Sequence, residues 1–89
     1  MAKFHFSLVS PERELYAGEV DQVDAPGAEG DFGVMEGHEP FMTTLRSGAV
    51  TVHLDRGAKR VFNIEGGFAD VTPESFTLLA ERAEEVGAA

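Results

Sequence analysis

The sequence predicts an all-β protein, a sandwich or barrel of roughly seven to ten short strands. Two observations carry that prediction. Apolar residues alternate with polar ones along most of the chain, which is the period of a strand with one face buried. Clusters of Gly, Pro, Asp and Ser interrupt the alternation at close spacing, as turns do. Only the tail has the composition of a helix. At 89 residues the chain fits one domain, 1–89, near the lower end of what folds without disulfides or metals.

Taken in order, Phe4, Phe6 and Leu8 share one face while His5 and Ser7 share the other. Ser10-Pro11-Glu12 breaks this first strand, because proline cannot donate to a central ladder. Leu15 to Ala25 reads as one or two strands, with Val20 and Val23 out of phase and therefore separated by a bulge or bend. Pro26 to Pro40 follows as a glycine- and proline-rich run. Phe41, Thr43 and Leu45 then alternate with Met42 and Thr44, and Arg46-Ser47-Gly48 turns the chain. Val50, Val52 and Leu54 form the next apolar face, closed by Asp55-Arg56-Gly57 into a hairpin with Lys59 to Ile64. Gly66-Gly67 punctuates the junction to Phe68–Val71, and Thr72-Pro73-Glu74-Ser75 leads into Phe76–Ala80. Leu79 to Val86 contains good helix formers, but an isolated helix of that length is marginal.

The run from Pro26 to Pro40 is the most informative segment. Pro26, Gly27, Gly30, Gly33, Gly37 and Pro40 give it a defined shape, since glycine tolerates positive φ and proline fixes it. Glu29, Asp31, Glu36 and Glu39 make it acidic. Such a run is expected to be neither a plain strand nor a helix. It reads as a ligand cradle, a contact surface or a rigid connection between sheets.

Seven basic and sixteen acidic side chains give a net charge of −9, which disfavours a nucleic-acid partner and favours basic partners or plain solubility. Without cysteine there is no disulfide framework, thiolate metal site or cysteine nucleophile. No stretch suits a signal peptide or a membrane span, so a soluble, cytoplasmic protein is expected, carried to any membrane by a partner. Gly27, Gly30 and Gly33 match neither the dinucleotide fingerprint nor the P-loop. His5 and His53 face away from the apolar stripe and read as solvated, whereas His38 reads as shaping the run it lies in. The neighbouring carboxylates lack an apolar pocket or a base that would split their pKa values, and no nucleophile elbow is present. Binding or assembly is favoured over catalysis. The alternative is a small metal- or ligand-binding β-sandwich module with Asp31, Glu36, His38 and Glu39 as ligands.

An ordered set of motifs then carries a resemblance over essentially the whole chain. Phe6-Ser7-Leu8-Val9-Ser10-Pro11-Glu12, Gly18-Glu19-Val20, Pro26 to Val34, Gly37-His38-Glu39-Pro40, Thr44-Leu45-Arg46-Ser47-Gly48, Gly66-Gly67-Phe68-Ala69-Asp70-Val71 and Thr77-Leu78-Leu79-Ala80-Glu81 resemble the epsilon-subunit family of F-type ATP synthases. The resemblance implies a two-sheet β-sandwich of about ten short strands, with no substantial helix. It implies a non-catalytic rotor subunit at the foot of the central stalk, without cofactor or metal. This subunit binds gamma and rests on the c-ring, so it is a peripheral membrane protein on the cytoplasmic face of a bacterial membrane. Position by position, Glu29 and Asp31 match the acidic loop that approaches the basic polar loops of the ring. Ser10, His38, Glu39 and Thr43 match the side facing gamma. Most members continue as a C-terminal helical hairpin, which the sequence lacks after Ala89, and a natural short form is expected.

Overall fold

The computed structural model describes residues 3–37 and 39–88. Its strands are β1 (Phe4–Val9), β2 (Glu14–Val20), β3 (Gln22–Gly27), β4 (Gly30–Met35), β5 (Phe41–Leu45), β6 (Gly48–His53), β7 (Lys59–Ile64), β8 (Gly67–Val71), β9 (Ser75–Ala80) and β10 (Ala83–Ala88). Hydrogen bonds run β10-β7-β6-β3-β5-β8-β9-β1-β2, with β4 added to β3. The path folds into two layers, because β3 meets β5 only at Gly27 opposite Leu45. One layer holds β10, β7, β6, β3 and β4. The other holds β5, β8, β9, β1 and β2. Strands β1 and β9 run parallel, whereas every other described pair is antiparallel.

The alternation is what folds this way. Phe4, Phe6 and Leu8 of β1 point inward with Phe76 and Leu78 of β9, and they meet Val50, Val52, Phe62 and Ile64 of the facing layer in one core. Polar neighbours such as His5 and Asn63 are left outside. The out-of-phase valines lie on different strands, with Val20 ending β2 and Val23 lying in β3. Between them the Asp21 N–H donates to the His53 carbonyl at 2.9 Å. Asp55–Gly57 closes the β6–β7 hairpin as a single 3-10 turn, with Arg56 and Gly57 at φ 62° and 76°.

Three expectations need correction. The tail is strand β10, antiparallel to β7 with a bulge between Glu85 and Gly87. A short helix would have to nucleate alone, while the open edge of β7 offers a ladder. The run from Pro26 to Pro40 is largely a regular hairpin, with β3 and β4 in register from Gln22 opposite Met35 to Gly27 opposite Gly30. Pro26 fits there because pairing with β6 stops at Asp24 opposite Thr51, so no ladder bond needs its missing N–H. Gly27 is required by close approach, since an added Cβ would lie 2.6 Å from the Gly30 carbonyl oxygen. In β5, finally, only Leu45 is buried. Phe41 leans against the Phe32 ring at 5.3 Å and is 39% exposed.

Arg60 closes the seam between the layers. From β7 its guanidinium makes two bonds of 2.8 Å to the Glu85 carboxylate on β10 and lies 5.0 Å from the Tyr16 ring centre on β2. The Arg60 hydrogen bond holds the Glu85 carboxyl below its usual 4.5. A depressed carboxylate contributes stability above its unfolded pKa and loses it as pH falls through the folded value. Glu85→Gln is therefore expected to lower the thermal midpoint at neutral pH slightly and to flatten the decline on acidification, read from melts between about pH 7 and pH 3. The effect is small, because solvent screens a pair this exposed.

Candidate functional site

The register gathers one end of the sandwich around the β3–β4 hairpin. Gly27 lies opposite Leu45, Leu45 opposite Gly67 and Gly67 opposite Ala80. Val9, opposite Leu79, leads straight into Ser10. The Ala28–Glu29 turn and the Ser10 turn therefore share this end. Glu39 lies at the other end, ahead of Phe41, whose row is Val71, Phe76 and Phe6. Ser10 and Glu39 are thus not brought together. Thr43 is half-buried in mid-β5 opposite Ala69, and its hydroxyl donates to the Thr44 carbonyl at 3.2 Å. His38 lies outside the described residues.

Ser10 is an architectural residue. It is 6% exposed, it exchanges backbone bonds of 2.9 and 3.3 Å with Arg13, and its hydroxyl donates to the Arg13 carbonyl at 3.3 Å. What the surface offers beside it is an open groove of about 440 Å³ lined by Val9, Ser10, Pro11, Phe68, Leu79 and Glu81 among others. Leu79 is 49% exposed there. A signal for it exists in the sequence, because an apolar residue falls out of phase between inward-facing Leu78 and Ala80.

Around the hairpin, Glu29 is exposed at the tip and Asp31 pairs with the guanidinium of Arg46. The Ala28 N–H bonds to the Thr44 carbonyl at 3.0 Å, and the Arg46 N–H bonds to the Pro26 carbonyl at 3.0 Å. The glycines serve different ends. Gly30 and Gly37 adopt φ 147° and 82° with open space where a Cβ would sit, whereas a Cβ on Gly33 would lie 2.8 Å from Asp24 Oδ1. Gly37 and Pro40 are exposed, while Pro26 is buried.

Metal chemistry finds no support among the described residues, where no group of three or more His, Asp or Glu side chains could hold an ion. Asp31 is engaged by Arg46, and Glu36 and Glu39 are exposed. His5 is solvated as expected. His53 is not, because its side chain is only 27% exposed and its Nε2 lies 2.7 Å from Asp24 Oδ2. Gln22 Nε2 donates to the other oxygen of the same carboxylate at 2.8 Å. These contacts tie β3 to β6 on the outer face. No helix among the described residues is long and apolar enough to cross a membrane.

Comparison with known proteins agrees with this architecture. Residues 3–86 match the family described as ATP synthase, Delta/Epsilon chain, beta-sandwich domain. The ATP synthase epsilon chain of Caulobacter vibrioides is 68% identical over 85 residues, which are 96% of this chain and 98% of that relative. The epsilon chain of Hyphomonas neptunium is 58% identical over 81 residues, 91% of this chain and 60% of the relative. The chain therefore spans nearly all of one relative and well under two thirds of the other. Among solved structures, a chain in the Euglena gracilis mitochondrial ATP synthase (OSCP/F1/c-ring, rotational state 1) superposes with a TM-score of 0.89 at 25% identity, covering 96% of this chain and 54% of that one. With its two-layer sandwich and a family match that runs almost end to end, this chain belongs to the delta/epsilon-chain beta-sandwich family of ATP synthase.

Proposed function

We propose that this sandwich is a non-catalytic rotor subunit of a proton-translocating F-type ATP synthase, joining gamma to the c-ring so that ring rotation reaches the catalytic head. The observation that carries the reading is the match to the Caulobacter epsilon chain over 98% of that protein's length. In this reading residues 1–89 work as one β-sandwich domain, and the domain holds no catalytic residue, cofactor or metal. It sits at the cytoplasmic face of a bacterial membrane through the complex alone.

Glu29 and Asp31 at the hairpin are the carboxylates offered to the ring, where arginine could pair with them. Ser10, His38, Glu39 and Thr43 are the residues assigned to gamma. For Ser10 the contact falls to its surroundings, because its hydroxyl is buried against Arg13. Rotation loads these contacts, and the two-layer core supplies the stiffness they need. The purified chain is expected to co-purify with gamma in a pull-down. Absence of binding under conditions where a longer epsilon chain binds would overturn the reading.

A further inference from the structure

We infer that Asp31 and Arg46 form a charge clasp that sets the position of Glu29, so that Glu29 alone of the two hairpin acids meets the ring and Asp31 is a positioning residue. This rests on the reading that the hairpin faces the c-ring.

The hairpin tip needs a clasp. Pairing between β3 and β6 ends at Asp24 opposite Thr51, so from Ala25 onward the hairpin loses that neighbour. Three bonds to the end of β5 and the turn after it take over. The Arg46 N–H holds the Pro26 carbonyl on β3, and the Ala28 N–H at the tip holds the Thr44 carbonyl, each at 3.0 Å. The Arg46 side chain reaches the Asp31 carboxylate on β4. Pro26 and Asp31 are cross-strand partners, so Arg46 grips both arms at the same rung. Glu29 lies just beyond that rung. Gly30 gives the tip no steric lock, since it sits at φ 147° with nothing within 4 Å of a Cβ position.

Charge follows from the same geometry. Arg46 holds one oxygen of the exposed Asp31 carboxylate and offsets its charge, so a cation from the ring would have to compete with Arg46 for it. Glu29 has no such guard among the described contacts. A cationic partner therefore meets one carboxylate whose charge no cation already offsets among the described contacts. The clasp is exposed, at 50% and 75% for the two side chains, so its effect on global stability is small and its work is local.

The test uses ATP synthase assembled with variant chains, reading ATP-driven proton pumping per ATP hydrolysed, together with hydrogen exchange at the Ala28 amide of the free chain. Asp31→Arg and Arg46→Asp are each expected to lower pumping and to speed Ala28 exchange about two- to fivefold, the scale of an exposed ion pair. The double variant with the charges swapped restores both. Asp31→Asn speeds exchange with a smaller loss of pumping, which guards against a folding defect in the charge reversals. If the swapped variant recovers slow exchange but pumps as poorly as Asp31→Arg, Asp31 is itself a ring contact and the inference is overturned while the ring reading stands. If Glu29→Gln pumps like the unchanged protein, the ring reading of this hairpin fails, and Glu29's part in the inference fails with it.

Discussion

Phe76→Ala is expected to lower the free energy of unfolding by about 3–5 kcal/mol. Phe76 is fully buried. Its ring meets Phe6 edge-on at 5.2 Å and stacks on Phe32 at 6.2 Å, so truncation removes a shared wall of the core. It also lies on β9, between β1 and β8, where neither neighbour can close the gap without breaking a ladder. Total stability for a small domain is about 5–15 kcal/mol, so the loss is a large share of the whole. Urea unfolding at 25 °C measures it. Phe41→Ala is the control, because that ring also touches Phe32 but is partly solvated. A loss below about 1.5 kcal/mol for Phe76→Ala would mean that the core collapses around the hole far better than this packing allows.

Gly67→Ala is expected to cost about 2–4 kcal/mol, through strain and overpacking together. Gly67 opens β8 at φ 146°, and an added Cβ would lie 2.3 Å from the Leu79 carbonyl oxygen and 3.0 Å from Ala80 Cα. Both obstacles are backbone, so no side chain can swing away. Gly30→Ala separates the two causes. Gly30 has nearly the same φ, 147°, but nothing within 4 Å, so it should lose only about 1–3 kcal/mol from strain. Equal losses at the two positions, measured by thermal or urea unfolding, would remove the steric part of the argument.

The strands most readable in the sequence are those whose alternation is dense. Phe4, Phe6 and Leu8, and Val50 and Val52, declare their inward face before any partner is known. β10 declares nothing of the kind, because Glu84, Glu85 and Val86 are all exposed. Its state is decided by the edge of β7, a long-range pairing invisible to local propensity. The hairpin was hidden for another reason. Glycine and proline signal irregular backbone in general, yet Gly27 and Gly33 serve close approach inside a regular ladder. At the site, the acids Glu29 and Asp31 were legible as charges. Which of them is engaged was not, because Arg46 comes from a different turn and reaches Asp31 only through the fold. The burial of Ser10 was equally out of reach, since it depends on a turn closing onto Arg13.

The parallel pairing of β1 with β9 bears on how the chain is made. Phe6 lies beside Phe76, so β1 waits for the distant β9 to be made before its layer is complete. Contacts this distant along the chain slow folding, because a long loop must close before they form. Until then β1 can lean only on β2, its hairpin neighbour, with Phe4, Phe6 and Leu8 uncovered on one face. β1 therefore gains this neighbour only once β9 has been made, and a chain cut short of β9 would leave β1 open along that edge.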